Sequence, residues 1–541
     1  MRRPWRTLAT ALFVLVVVAG GVAGNRLLAV SDEAKESLRL YTELLGVAHD
    51  RYGAEVTFRD LVFASIQGML RSLDPHTNFL SPQAFASMRE KQQASFYGLG
   101  ILVGTRNGRL TVITPIEGTP AWRLGVRAGD VIQKIEGEPT EKMTVDEAVS
   151  KLKGPKDTQV HITLVRVGLE EPLDITVTRA EIPQTTVRYA YMIAPGTGYI
   201  SISDFSRSTG GEVAKAMEKL RGQGMQRLIL DLRNNGGGLL DQAIDTADQF
   251  LPKGSSIVET RGRTRDSQQS YGAAGEHPPL EVPLVVLVNG GTASAAEILS
   301  GAIQDHDMGL VVGTSTWGKG LVQTVYNLSY GAGLALTTAK YYTPSGRLIQ
   351  RDYSSYYDYY VRNDDADGEP KPAESPKKAA GETFKTDLGR DVFGGGGITP
   401  DVEVETPDIA PFLQFLFARA AFFNFAVDYA NRHPAIDRSW RPDAAVLDEF
   451  EKWVIAKKID TADDVAKGFE EAEHRAIALR QIRADVFTSR FGIEASHQAL
   501  AEGDVQIQKA LALFPQASEL LARRKATPPA PAVEAAGRGR N

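Results

Sequence analysis

Apolar residues recur at three- and four-residue steps early in the chain. Val62, Ile66, Met69 and Leu70 mark a helical pattern over residues 32–93. The segment Leu73-Asp74-Pro75-His76-Thr77-Asn78-Phe79-Leu80-Ser81-Pro82 interrupts it with two prolines. The period then becomes two: Val160, Ile162 and Leu164, followed by Leu173, Ile175 and Val177, alternate as half-buried strands do. Among these strands Thr144 and Glu147 form a capping box. The helix that follows carries Val145, Ala148, Val149 and Leu152 on one stripe. From about 181 to 350 the pattern is α/β. The apolar runs Arg227-Leu228-Ile229-Leu230-Asp231-Leu232 and Leu284-Val285-Val286-Leu287-Val288 read as buried strands, each followed by glycines and a helical stretch.

Residues 351–398 differ. Tyr353, Tyr356, Tyr357, Tyr359 and Tyr360 precede a stretch of acidic residues, Lys and Pro with few aliphatics, read as a partly mobile insertion. Helical periodicity returns over 408–524, opening with Phe412, Phe415, Phe417, Phe422, Phe423 and Phe425. The tail 525–541 is rich in Pro, Ala and Gly and reads as disordered. There is no tandem repeat. The expected organisation is multidomain α+β: a leader (1–30), a helical region (31–94), a small β-rich domain (95–180), an α/β core (181–350), the insertion, a short return to the core (399–407), the second helical region and the tail.

Arg2, Arg3 and Arg6 precede an uncharged segment, residues 7–25, centred on Leu12-Phe13-Val14-Leu15-Val16-Val17-Val18. At ~1.5 Å per residue this makes about 28 Å of helix, close to the thickness of a bilayer's hydrocarbon. The segment reads as an export signal. Val22-Ala23-Gly24 offers a cleavage point, so a cleaved signal and a retained anchor both stay open. In either case the positive end stays inside. The bulk of the chain is expected outside the cytoplasm, periplasmic or anchored in the inner membrane through residues 7–25.

Composition narrows the chemistry. The 541 residues include no cysteine, which removes disulfides, thiolate metal sites and cysteine nucleophiles together. With 61 Lys+Arg against 67 Asp+Glu, the net charge of −6 gives no electrostatic footprint for nucleic acid. The eight histidines show no paired ligand spacing with carboxylates, so no zinc site is expected.

In Asn289-Gly290-Gly291-Thr292-Ala293-Ser294-Ala295-Ala296-Glu297 an apolar strand runs through glycines into a helix, with Ser294 at its first turn. That geometry exposes a hydroxyl beside free N–H groups that would stabilise an oxyanion. Taken alone, the segment reads first as an ordinary cap on a core helix. A second segment, Gly313-Thr314-Ser315-Thr316-Trp317-Gly318-Lys319-Gly320-Leu321-Val322-Gln323, follows another apolar strand. It approaches a phosphate-binding loop but places Gly320 where a Mg²⁺-binding hydroxyl is needed. A lysine between glycines also serves as a buried base. Desolvation by Trp317, Leu321 and Val322 would favour its neutral form, able to take a proton from Ser294. His306, twelve residues beyond Ser294, lies ~18 Å further along a continuous helix, too far to be the base. His76, in the Asp-Pro-His turn, reads as a structural imidazole.

Leu73-Asp74-Pro75-His76, Gly98-Leu99-Gly100-Ile101, Asp231-Leu232-Arg233-Asn234-Asn235-Gly236-Gly237-Gly238, the Ser294 and Lys319 segments and Tyr342-Thr343-Pro344-Ser345-Gly346-Arg347 occur in this order. Together they resemble the C-terminal processing peptidases, the carboxyl-terminal or tail-specific proteases, over residues 40–405. The resemblance implies an exported serine endopeptidase with a PDZ domain inserted before a crotonase-like core. It further implies Ser294 as nucleophile, Lys319 as general base and Gln323 as the residue orienting that base, with no cofactor. Positions four apart in a straight strand lie ~13 Å away, so contact between Lys319 and Gln323 requires a bend near Gly320.

The implied oxyanion donors are the N–H groups of Ala295 and of a glycine in 236–238, with Gly237 the first choice. Asp231 and Arg233 are expected to support that turn. The PDZ loop Gly98, Leu99, Gly100 and Ile101 offers amides to a peptide's terminal carboxylate, with the helix from Thr144 lining the groove. Partners are then polypeptides taken by their C-termini; a homo-oligomer and an adaptor stay open. The insertion reads as a flap near the active site or as a solvated loop, and the Phe-rich helices as core or subunit interface. Two other readings compete: a catalytically silent PDZ scaffold, and a nucleotide-binding enzyme resting on the glycine spacing around Lys319 alone.

Overall fold

The computed structural model describes residues 32–93, 95–353 and 382–527. The apolar leader, most of the Tyr-rich insertion and the final tail lie outside the described residues. Among those described, no helix is long and apolar enough to cross a membrane.

The chain divides into two units. The smaller combines the residues up to Leu80 with Val325–Leu336. Its helices Asp32–Arg51 and Phe58–Arg71 are separated by Thr57, whose hydroxyl caps the second by accepting from Asp60 N. Asp74 organises the Asp-Pro-His turn: its carboxylate accepts from the N–H of His76 and Thr77, both at 2.8 Å, and from the Thr77 hydroxyl. The short strand Asn78–Leu80 then pairs antiparallel with Gly333–Ala335.

The larger unit begins at Ser81. A five-strand antiparallel path, Ile101–Arg106, Arg109–Pro115, Val131–Ile135, Gln159–Val165 and Leu173–Thr178, puts Ile101–Arg106 at its edge. The capping box expected at Thr144 is formed in both directions: Thr144 N donates to Glu147 Oε2 at 2.8 Å and Glu147 N to Thr144 Oγ1 at 3.2 Å. The helix it starts, Val145–Leu152, seals a core of Leu99, Val112, Ile132, Ala148 and Val160.

Next comes a six-strand sheet in the order Val187–Ala194, Thr197–Ile202, Arg227–Asp231, Leu284–Val288, Leu310–Gly313, Val402–Glu403. The first pair is antiparallel and the rest parallel. Parallel strands need both faces covered, which explains why Leu284–Val288 is apolar at every position and wholly buried. One face, with Leu228, Leu230, Val286 and Val288, packs against helices Thr209–Gly222, Leu240–Asp248 and Ala295–Asp305. The other face, with Tyr199, Ile229, Val285, Leu287 and Val312, is covered by Ile507, Ala510, Leu513, Phe514 and Ala517 of the last two helices, Val505–Ala512 and Phe514–Ala526. Each Val, Leu, Ile or Phe side chain among these contributes roughly 1.5–3 kcal/mol by leaving water. The second helical region therefore has two roles. Its end belongs to the core sheet, while its first part forms a separate cluster in which Phe422, Phe425 and Phe450 are interior residues.

Candidate active site

The strand Leu284–Val288 ends in a turn stitched to the neighbouring turn after Asp231. Asn289 Oδ1 accepts from Asn234 N at 2.9 Å, Thr292 Oγ1 donates to Leu232 O at 2.8 Å, and Ala293 N donates to Asn235 O at 2.9 Å. This stitching forces Ser294 into φ 57°, ψ −116°. A non-glycine residue pays roughly 1–3 kcal/mol for such a backbone, so its surroundings must over-determine it. Ser294 is half-buried, and the helix Ala295–Asp305 that follows is buried at all eleven positions. At its start the Ala295 N–H has no acceptor among the described residues, as the first helical turn requires.

Lys319 lies just before the strand Leu321–Asn327. It is therefore not held in a straight strand, and its Nζ reaches Gln323 Oε1 at 2.9 Å. Between them Gly320 packs closely on the neighbouring segment: its N–H donates to Gln350 Oε1 at 2.8 Å, and a Cβ there would lie 2.9 Å from Gln350 N. Trp317 and Leu321 flank the lysine, and the Arg351 guanidinium lies 3.9 Å from the Trp317 ring centroid.

What brings the two segments together is Glu297, a residue the sequence reading passed over. It is fully buried and accepts four hydrogen bonds. Oε2 takes the N–H of Ser294 at 2.7 Å and of Lys319 at 2.9 Å; Oε1 takes the N–H of Gly318 at 2.7 Å and the Thr316 hydroxyl at 2.5 Å. Burial pushes the carboxyl's pKa up, and the four donors work against that shift. Tyr341, 1% exposed, adds a second clasp: its hydroxyl lies 3.0 Å from Ser294 O and 2.5 Å from Lys319 O. The signal for Glu297 was present, since Ser294 and Glu297 have the same three-residue spacing as the capping box at Thr144 and Glu147. Tyr341 left no comparable trace in the sequence.

The turn 231–238 forms the other wall. Gly237 has φ 99°, and a Cβ on it would come within 2.7 Å of Ser294 Cβ and 3.0 Å of Ala295 N, so only glycine fits there. Its N–H donates to Asn235 Oδ1 at 2.9 Å. The N–H groups of Gly236 and Gly238 have no acceptor among the described residues. Asp231 and Arg233 are joined by a 2.6 Å ion pair. His306 sits at the far end of the helix that Ser294 precedes, between Ser256 O and Asp387. The amides of Gly318 and Lys319 that a phosphate would need are occupied by Glu297.

In the β-rich domain, Gly100 has φ 77°, and its carbonyl accepts from Thr119 Oγ1 at 3.0 Å and Ile116 N at 2.8 Å. Those bonds hold a turn whose Leu99 and Gly100 N–H groups have no acceptor among the described residues. Ile101 opens the edge strand beside the helix Val145–Leu152.

Comparison with known proteins gives the family. Residues 196–355 match the model for peptidase family S41, residues 111–166 a PDZ domain, and residues 412–484 the C-terminal helical domain of probable PDZ-proteases. A carboxy-terminal-processing protease of Bartonella bacilliformis is 37% identical over 340 residues, covering 62% of this chain and 77% of that protein. A carboxyl-terminal-processing protease of Synechocystis is 41% identical over 299 residues, covering 54% and 69%. The solved photosystem II D1 C-terminal processing protease is 29% identical, with a TM-score of 0.35, covering 66% of this chain and 85% of that one.

Proposed function

Since the chain belongs to the carboxy-terminal-processing proteases of peptidase family S41, we propose that it cleaves exported polypeptides with a Ser294–Lys319 dyad through an acyl-enzyme. The observation that carries this reading is the shared carboxylate oxygen: Glu297 Oε2 accepts the N–H of Ser294 and of Lys319 and so ties nucleophile to base. Lys319, neutral, takes the Ser294 hydroxyl proton as Oγ attacks the scissile carbonyl carbon. Gln323 Oε1 accepts one N–H of the amine, which aims the remaining lone pair. The carbonyl oxygen becomes an oxyanion facing the Ala295 N–H and a glycine amide of 236–238. Gly237 supplies that amide once it leaves Asn235 Oδ1. Collapse of the intermediate expels the amine, which takes the proton back from Lys319. Water then attacks the ester carbonyl, giving a proton to Lys319; collapse breaks the bond to Ser294 Oγ, which takes that proton back from Lys319, and the acid is released.

The PDZ domain, which we place over 95–180, receives the substrate's C-terminal carboxylate on the amides of Leu99 and Gly100. The apolar, partly exposed Ile101, Val145 and Val149 favour an apolar last residue. We read the six-strand sheet with its covering helices as crotonase-like, spanning 181–350 and 399–407. The basic, then uncharged, N-terminus supports export, with the catalytic bulk outside the cytoplasm.

The test is incubation of the full chain, Ser294→Ala and Lys319→Ala with a polypeptide ending in apolar residues, followed by mass spectrometry of the termini. New internal termini from the wild type alone are expected. Cleavage by either folded variant would remove that residue from the chemistry.

A further inference from the structure

Arg233 leaves the sheet three residues before the glycines of the oxyanion turn, and its side chain is held from two directions. Nε lies 3.0 Å from both oxygens of Asp231, and Nη2 donates to Asp231 Oδ2 at 2.6 Å. Nη1 points the other way, donating to Asp504 Oδ2 and Gln506 Oε1, each at 2.8 Å. Both acceptors come from the second helical region, which contributes no reacting group. Gln506, 2% exposed, is fixed in turn by donating through Nε2 to Val404 O at 2.7 Å. The second oxygen of Asp504 caps the helix Val505–Ala512, accepting from Gln506 N at 2.9 Å and Ile507 N at 3.1 Å.

We infer that Asp504 and Gln506 are positioning residues for the peptidase reaction, holding through Arg233 the turn whose glycine amide meets the oxyanion. On its inner side the turn is tied to the nucleophile loop through Asn234, Asn235 and Leu232. On its outer side Arg233 is the tie to the helical region. The Arg233 backbone N–H also donates to Asp231 Oδ1 at 2.9 Å, so a displaced guanidinium disturbs the carboxylate that anchors the turn itself. A mostly buried guanidinium that loses one of its two carboxylates re-solvates by moving outward. A displacement of about 1 Å at a reacting geometry can cost on the order of 100-fold in rate.

The inference rests on the reading of Ser294 as nucleophile, and the test separates the two. Full-length Asp504→Ser, Gln506→Ala and Ser294→Ala proteins are compared with wild type, and Arg441→Ala, which removes an exposed ion pair with Glu502, serves as a control within the helical region. Asp504→Ser keeps a hydroxyl that caps the helix but cannot reach Arg233, so lost capping does not confound it. Expected for both Asp504→Ser and Gln506→Ala are a kcat at least about 10-fold lower with KM unchanged, and equally slowed labelling by a fluorophosphonate, at a melting temperature close to wild type. Unchanged kcat, a rise in KM alone, or a kcat loss matching only the unfolded fraction would each overturn the inference. Turnover by Ser294→Ala would instead overturn the nucleophile assignment.

Discussion

The backbone N–H groups of Ser294 and Lys319, twenty-five residues apart, converge on the same carboxylate oxygen of Glu297 at 2.7 and 2.9 Å. A side-chain oxygen shared by two main-chain segments sets their separation without occupying either functional group. The serine hydroxyl and the lysine amine take no part in that tie.

Glu297→Gln tests that tie. An amide has the same shape but only one accepting oxygen, so two of the four donors lose their partner. A buried donor without an acceptor costs about 1–3 kcal/mol. Expected are a melting temperature several degrees lower and a kcat at least about 100-fold lower. Thr316→Val leaves the carboxylate its three N–H bonds but also orphans the buried Ile398 N–H, so its melting temperature should fall while its kcat falls less than in Glu297→Gln.

Gln323→Ala removes the acceptor from Lys319 Nζ, and about a 10-fold to 100-fold loss in kcat is expected with substrate affinity preserved. In Gln323→Glu the carboxylate favours the charged ammonium, so the rate profile moves to higher pH. A profile identical to wild type would show that Gln323 does not act on Lys319.

Gly237→Ala places a methyl group 2.7 Å from Ser294 Cβ at a φ of 99°. The turn must retreat from Ser294, and turnover and phosphonate labelling should both fall by more than about 100-fold. Gly211→Ala, where a Cβ meets nothing within 4 Å, is the matched control and should retain full activity.

Asp485 lines a cavity of about 360 Å³ with Arg106 and Phe423, and burial raises its pKa to about 6. Its folded pKa lies above its ordinary value of 3.8, so the folded state favours the neutral acid. Stability is then lost as pH rises from about 4 through 6, by at most about 3 kcal/mol. Asp485→Asn should raise the melting temperature at pH 8 and leave it nearly unchanged at pH 4, by calorimetry.

Much of this was legible because burial leaves a pattern. Leu284–Val288 is apolar at every position, as a strand covered on both faces must be, and Thr144 with Glu147 announced its helix. The loops carrying Ser294 and Lys319 stood out because glycines flank a reactive side chain. Less visible was anything that depended on a partner distant in the chain. Ile507, Ala510, Phe514 and Ala517 form an apolar face by periodicity, but nothing local says that it covers Ile229 and Leu287. Glu297 was hidden because a buried carboxylate and a helix cap share one spacing. The N–H of Gly237 pointed toward the oxyanion in the sequence reading; in the structure it rests on Asn235, a contact that only the folded turn creates.

The last two helices, lying on Ile229, Val285 and Leu287, have a practical consequence for anyone dividing this protein. The residues proposed to react all precede residue 405, but a fragment cut there would carry a bare sheet face into water and self-associate. The smallest soluble, autonomously folding enzyme must run past Ala517, so the unit of catalysis and the unit of folding have different ends.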